Sequence, residues 1–126
     1  MDERIILTHY FIDDNDIASI NQIKTTIEIT KEKEKITYYY TKEDTYPKLE
    51  EKVIEKEIDN NIYNSILEIN LSELNDNYMD EKDPTSWEIE ISNKNIKGSY
   101  TLLPFEIFQI MKLTNFKEKI LLKEDE

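Results

Sequence analysis

Cysteine is absent from this 126-residue sequence, and glycine and histidine each occur once. The absence of cysteine excludes disulfides, thiolate catalysis and cysteine-ligated zinc or iron–sulfur sites. The lone histidine, His9, excludes a multi-histidine metal site within one chain, and a single glycine excludes a glycine-rich phosphate loop. No run approaches the roughly 18 apolar residues of a membrane span, and the N-terminus lacks the basic start of a signal peptide. We therefore expect a cytoplasmic protein that makes no membrane contact.

Basic residues are also scarce. The chain has 16 Lys and Arg against 28 Asp and Glu, which gives a formal net charge of −12. Proteins that bind nucleic acids or anionic membranes present lysine and arginine patches, so this balance argues against both partners. Nearly all the basic residues are lysine, isoleucine and asparagine are abundant, and alanine and glycine are rare. AT-rich genes encode such a composition, so we expect a bacterial or phage protein that acts in a bacterial cytoplasm.

The length fits a single globular domain over residues 1–126, since domains commonly span about 100–150 residues. The apolar fraction is 38%, much of it isoleucine, leucine and aromatic residues, which is too apolar for a disordered acidic tail. A chain of this size buries about two-thirds of its unfolded surface, so a hydrophobic core is expected.

Alternating apolar residues predict strands in the first half of the chain. Residues 4–12 are apolar and β-branched, residues 22–30 alternate well, and residues 35–41 form a return strand that completes a hairpin. Residues 49–58 fit either a helix or a short strand, and the pattern leaves both open.

The second half combines helices with another hairpin. Asp59 is a suitable N-cap for a helix over residues 60–69 that continues irregularly to residue 74, and residues 75–84 are predicted to be a loop. A strand over residues 87–91 places Trp87 in the core. A turn at residues 93–95 leads to a partner strand over residues 96–102, with Gly98 as a possible bulge.

A helix after Pro104 is expected to bury an apolar stripe, and a last short helix is expected from Thr114. The residues of that stripe are Phe105, Phe108, Ile110 and Met111. Together these elements predict an α+β fold: a small antiparallel sheet of about four to five strands, with two or three helices packed on one face.

No residue pattern points to catalysis. His9 lies in an apolar strand without a nucleophile motif, so we expect a structural histidine with one hydrogen bond. The acidic run at residues 13–16 lacks the glycine and the ligand spacing of a calcium loop, which favours a solvated turn or a helix cap. With 28 acids, pairs of carboxylates arise by chance and carry no signal. We predict a protein that is not an enzyme and has no cofactor or metal.

The excess negative charge is local. Residues 57–90 contain ten acidic residues and one lysine, so they carry −9 of the net −12. Clustered like charge opposes folding, so its retention points to a basic partner, although solubility alone is an equal alternative. Tyr39 is a further candidate, because in a strand it points away from Tyr38 and Tyr40, and tyrosine is common at interfaces. The predicted partner-binding residues are Tyr39, Tyr63, Glu68, Glu73, Asp76, Tyr78, Asp80, Glu81 and Asp83.

These features favour a non-catalytic binding protein that inhibits a basic protein or nucleoprotein complex. In size and charge the chain resembles bacterial immunity proteins and phage-encoded anti-defence inhibitors, including anti-CRISPR proteins. The resemblance implies a nuclease toxin or a nucleic-acid-guided defence complex as the partner. The alternative is a structural or assembly subunit, of a phage particle or a homo-oligomer, that associates through Tyr-rich edge strands.

Overall fold

Seven strands and three α-helices make up the part of the chain that the structure, a computed structural model, describes: residues 3–11, 20–42, 49–91 and 94–122. The strands are β1 (Ile5–Tyr10), β2 (Ile20–Ile29), β3 (Lys33–Lys42), β4 (Leu49–Glu57), β5 (Asn77–Tyr78), β6 (Ser86–Ile91) and β7 (Lys94–Ser99). The helices are α1 (Asn60–Leu67), α2 (Phe105–Leu113) and α3 (Phe116–Lys119), and a 3-10 helix (Tyr100–Leu102) follows β7. The acidic run at residues 13–16 lies outside the described residues.

The strands form one sheet in the order β4-β3-β2-β1-β6-β7-β5. Neighbouring strands are antiparallel except β5 and β7, which run parallel. In the central strand β1, Leu7 is paired with Ile27 of β2 on one side and with Ile89 of β6 on the other. Because successive side chains alternate between faces, this register gathers apolar residues on one face, called here the inner face. The opposite face is called the outer face.

The core lies between the inner face and the helices. Trp87 and Phe116 are its largest fully buried side chains, so the core position predicted for Trp87 is confirmed. The other fully buried apolar residues come from both the sheet and the helices. They are Ile5, Leu7, Ile27, Ile29, Ile66, Ile89, Ile96, Ile107 and Ile110. The molecule is thus a small α+β domain, and within the described residues no helix has the length and apolar character needed to cross a membrane.

The sheet has more strands than the sequence predicts, seven in place of four to five. The pattern of residues 49–58 allows either a helix or a strand, and the structure shows that this stretch contains the edge strand β4. Lys52 and Lys56 of this strand lie on the inner face. Inward charges are a common protection of edge strands, and they erase the apolar alternation that identifies a strand. The predicted loop at residues 75–84 contains β5, which is too short to show any pattern.

Two predicted details of the hairpin formed by β6 and β7 are wrong. Gly98 is not a bulge, because it pairs in register with Trp87; the irregularity of the sheet lies between Gln22 and Lys24 of β2. Lys94 and Asn95, which the sequence places in the turn, belong to β7.

The helices begin close to where the sequence places them. Asp59 caps α1 as predicted, because its carboxylate accepts the Asn61 N–H at 2.9 Å. The stripe predicted for α2 is partly wrong: Ile107 is buried with Ile110 and Met111, whereas Phe105 and Phe108 are 67% and 45% exposed.

Polar bonds tie the end of the described chain to β2 and β3. Thr25 Oγ1 and Gln22 Nε2 donate to the carbonyl oxygen of Ile120 at 2.7 and 3.0 Å. The Tyr38 hydroxyl donates to the carbonyl oxygen of Lys119 at 2.7 Å. These bonds lie on the inner face, so the end of α3 and Ile120 close this half of the core.

An ionic cluster around a buried carboxylate reinforces this attachment. The Glu34 side chain on β3 is 1% exposed, and its Oε1 lies 2.7 Å from the Nζ of Lys119. Its Oε2 lies 3.3 Å from the Nζ of Lys56 on β4. A carboxylate buried this deeply requires such compensation, because its desolvation is costly.

Candidate binding surface

Residues 73–83, called here the acidic edge, run along β7 at one lateral edge of the sheet. The Lys97 N–H donates to the carbonyl oxygen of Asp76 at 3.1 Å, and β5 then pairs in parallel with β7. Beyond β5, the Asp80 N–H donates to Ser99 Oγ at 2.9 Å, and the Ser99 hydroxyl donates to the Asp83 carbonyl oxygen at 3.0 Å. Ser99 is fully buried, so it holds both ends of this turn against the sheet.

A series of local turns orders the acidic edge and the residues just before it, and β5 is the one strand within the edge. Four side chains each accept the backbone N–H two residues later at 2.9 to 3.1 Å, which is the geometry of an Asx turn. The four acceptors are Asn70, Asn77, Asp80 and Asp83. The sequence carries this signal as repeated Asn and Asp in a loop.

Two of the predicted contact residues serve this internal framework. Asp80 accepts the Thr101 hydroxyl at 2.9 Å, and Asp83 accepts the Thr101 N–H at 3.2 Å and bonds with Thr85. Hydrogen bonding, first of all from the Thr85 hydroxyl, holds the pKa of Asp83 below its usual value. Their carboxylates therefore fix the conformation of the acidic edge, and the sequence alone does not identify their partners.

Four other predicted acids are available to a partner. Glu68, Glu73, Asp76 and Glu81 are all exposed. Among the described residues, none of them has a lysine or arginine nitrogen within 4 Å. Glu68 lies at the C-cap of α1, and the other three lie on the acidic edge. The exposed Met79 adds an apolar side chain between Asp76 and Glu81.

The three predicted tyrosines do not lie together. Tyr78 is half-buried on β5, where its hydroxyl accepts the Asn75 N–H at 2.9 Å, so it belongs to the acidic edge. Tyr63 is a core residue whose hydroxyl donates to the Glu3 carbonyl oxygen at 2.7 Å, and burial removes its ring from any contact surface. Tyr39 lies on the outer face of β3, and β2, β1, β6 and β7 separate that strand from β5 in the sheet.

Tyr39 has a local environment of its own. The Lys24 Nζ lies 4.8 Å from the centre of its ring, which is a cation–π geometry. Burial and the neighbouring Glu51 carboxylate raise the pKa of Tyr39. A partner that contacts the acidic edge would have to span about 24 Å of sheet to reach Tyr39 as well.

His9 lies in a strand and makes a side-chain hydrogen bond, as the sequence predicts. It lies on the inner face of β1, where its Nδ1 and the Tyr100 hydroxyl form a hydrogen bond. Burial lowers the pKa of His9 to about 4, so the ring is neutral at physiological pH. No group of three His, Asp or Glu residues in the described ranges is arranged to hold a metal ion.

Comparison with known proteins does not assign the chain to a family. No protein-family model matches it, and neither the curated proteins nor the solved structures contain a significant match. Its function must therefore be argued from the surface itself.

Proposed function

We propose that the protein is a non-catalytic binding protein that neutralises a basic partner through the acidic edge. The partner is a protein or nucleoprotein complex rich in exposed lysine and arginine, such as a nuclease toxin or a nucleic-acid-guided defence complex. The observation that carries the proposal is the ordered edge whose exposed carboxylates, Glu73, Asp76 and Glu81, have no lysine or arginine nitrogen of the described residues within 4 Å. An immunity protein or an anti-CRISPR type inhibitor would act in this way.

The acidic edge is already ordered in the free protein, and this lowers the entropic cost of binding a partner. A flexible acidic tail loses conformational entropy when it binds, whereas a segment already fixed against β7 loses little. Three exposed carboxylates close in sequence repel one another in the free protein, and a basic partner relieves that repulsion. Association is therefore expected to be fast and strongly dependent on ionic strength.

Charge reversal of the edge tests the proposal. The variant Glu73→Lys, Asp76→Lys, Glu81→Lys changes three exposed side chains and leaves the framework residues Asp80 and Asp83 intact. Wild type and variant are used to capture proteins from bacteria that carry the gene, followed by mass spectrometry. The captured partner is then purified and its association rate is measured at low and high salt.

The matched control is Glu32→Lys, Glu55→Lys, Glu57→Lys, which makes the same change of charge at exposed positions on the β3 and β4 side of the sheet. We expect the control variant to bind the basic partner as the wild type does, and the edge variant to bind it at least tenfold more weakly. The urea midpoint of the edge variant should be unchanged or raised, because the substitutions relieve repulsion between like charges. Equal capture by both variants would show that the acidic edge is not the contact surface.

Self-association as a structural or assembly subunit is the second candidate. Self-association through Tyr-rich edge strands would require β3 to have a free backbone edge. It has none, because β2 and β4 pair with it on both sides. Leu102 and Phe105, three residues apart in the chain, instead have large apolar side chains that are 46% and 67% exposed. Light scattering during size-exclusion chromatography separates the two candidates: a salt-resistant oligomer that Phe105→Lys disrupts favours assembly, and a monomer at all concentrations excludes it.

A further inference from the structure

A second site of different chemistry lies between α2, α3 and the 3-10 helix. It is a cavity of about 420 Å³, within the range of about 300–1,000 Å³ that is typical of small-molecule sites. Buried Met111 and Phe116 line it, together with Leu103 and the exposed ring of Phe108. Tyr100 also lines the cavity, and its hydroxyl is already bonded to His9.

Two lysines give this apolar cavity a positive rim. Lys112 in the last turn of α2 and Lys117 in α3 both line the cavity and are exposed. Among the described residues, neither has a carboxylate oxygen within 4 Å. Glu118 is the one acid among the described lining residues, so the lining is net positive in a chain of net charge −12.

We propose that this cavity binds a small soluble amphipathic anion. The apolar body of the ligand packs on Met111, Phe116 and Phe108, and its single anionic group lies between the ammonium groups of Lys112 and Lys117. An aliphatic carboxylate of medium length has this chemistry. Burial of the tail supplies most of the affinity, and the exposed lysines select the sign of the head group.

The ligand is free in solution rather than part of a bilayer. Cell membranes carry a negative surface potential, and a protein of net charge −12 is repelled from them. Two exposed lysines attract one small anion but do not amount to the polybasic cluster that holds a protein on an anionic membrane. The acidic edge is proposed to bind a positively charged partner, whereas this cavity is proposed to bind an anion. The two sites are therefore independent of each other.

Decanoate below its micellar concentration is the probe, and 1-decanol is the matched neutral control. Binding is followed by calorimetry and by amide shifts in NMR spectra. We expect one decanoate per chain, with shifts centred on Met111 and Phe116. In Lys112→Gln, Lys117→Gln, affinity for decanoate falls roughly tenfold, as expected for the loss of two exposed charge pairs, while affinity for decanol changes less than about twofold.

A second pair of variants tests the apolar part. Phe108→Ala removes an exposed lining ring and weakens both ligands, whereas Phe105→Ala, on the same helix but outside the cavity, leaves both affinities unchanged. The proposal is overturned by the absence of saturable decanoate binding, by equal affinity for decanoate in the wild type and the double lysine variant, or by an affinity that Phe108→Ala does not change. If the protein binds anionic vesicles but not free decanoate, the proposal of a soluble ligand is overturned and the cavity contacts a membrane instead.

Discussion

Gly98 and Trp87 pair across β6 and β7 so closely that residue 98 has no room for a side chain. A Cβ at Gly98 would lie 2.7 Å from Trp87 Cζ2 and 2.7 Å from the Cβ of Tyr78. The glycine does not have a positive φ, so it is required for space and not for backbone freedom. It allows the buried indole and the edge strand β5 to approach β7 together.

Gly98→Ala is therefore expected to destabilise the protein by about 2–3 kcal/mol, because overpacking forces the indole or β5 to move. Urea unfolding followed by Trp87 fluorescence measures the loss. Lys97→Ala, an exposed neighbour on the same strand, serves as the control and should stay within about 0.5 kcal/mol of wild type. A loss of similar size in both variants would contradict the steric explanation.

The ion pair between Glu34 and Lys119 is expected to contribute to the stability of the folded protein. Lys119→Met leaves the buried Glu34 carboxylate with Lys56 as its remaining described cation and should cost about 3 kcal/mol. The double variant Glu34→Leu, Lys119→Met removes the buried charge as well, so it should be more stable than Lys119→Met alone. Thermal unfolding of the three proteins checks this order. A double variant that is no more stable than Lys119→Met would mean that the loss does not come from leaving the Glu34 carboxylate buried without Lys119.

His9 should make stability dependent on pH. Its pKa is about 4 in the folded protein, against the ordinary value of 6.5 that it regains on unfolding, so the unfolded chain binds more protons between these values. Stability from the neutral ring is complete above pH 6.5 and is lost as the pH falls toward 4. At pH 5, His9 should cost about 1–2 kcal/mol relative to pH 7.

His9→Gln removes this titration, so the variant should lose less stability than wild type between pH 7 and pH 5. Urea midpoints at the two values provide the comparison, and the carboxylates of the chain contribute to both proteins alike. Parallel losses in wild type and variant would show that the His9 pKa is not depressed by folding.

Ser99 should control the affinity of the acidic edge without changing its charge. Ser99→Ala removes the acceptor of the Asp80 N–H and the donor to the Asp83 carbonyl oxygen. Hydrogen exchange at Asp80 should accelerate, and the affinity for a basic partner should fall several-fold because the segment must be ordered on binding. Thr101→Val, which removes the hydroxyl bond to the Asp80 carboxylate, should have the same effect in weaker form. Unchanged affinity with accelerated exchange would show that the order of the edge does not contribute to binding.

Sequence pattern predicts the elements that bury one apolar face. It identifies β2, β3, β6 and the Asp59 cap, because alternation and capping are local. For α2 it places Ile110 and Met111 on the buried side correctly but chooses Phe105 and Phe108 where Ile107 is buried, since all five side chains are apolar. Only the sheet decides which stripe it covers.

The candidate surface is predictable in its charge but not in its geometry. The count of acids places it within residues 57–90, and Glu73, Asp76 and Glu81 are exposed there. The roles of Asp80 and Asp83 depend on Ser99 and Thr101, which are 16 to 21 residues further along the chain. A single sequence contains no signal for such pairings.

The attachment of Lys119 and Ile120 to β2 and β3 has a consequence for the order of folding. The bond from Tyr38 to Lys119 spans 81 residues, and the bonds from Thr25 and Gln22 to Ile120 span 95 and 98. During synthesis the neighbouring strands β1 to β4 leave the ribosome long before the residues that cover their inner face. Contacts of such sequence separation raise the entropic barrier and slow the final step. The apolar inner face of the early strands therefore stays uncovered until Lys119 and Ile120 have been synthesised.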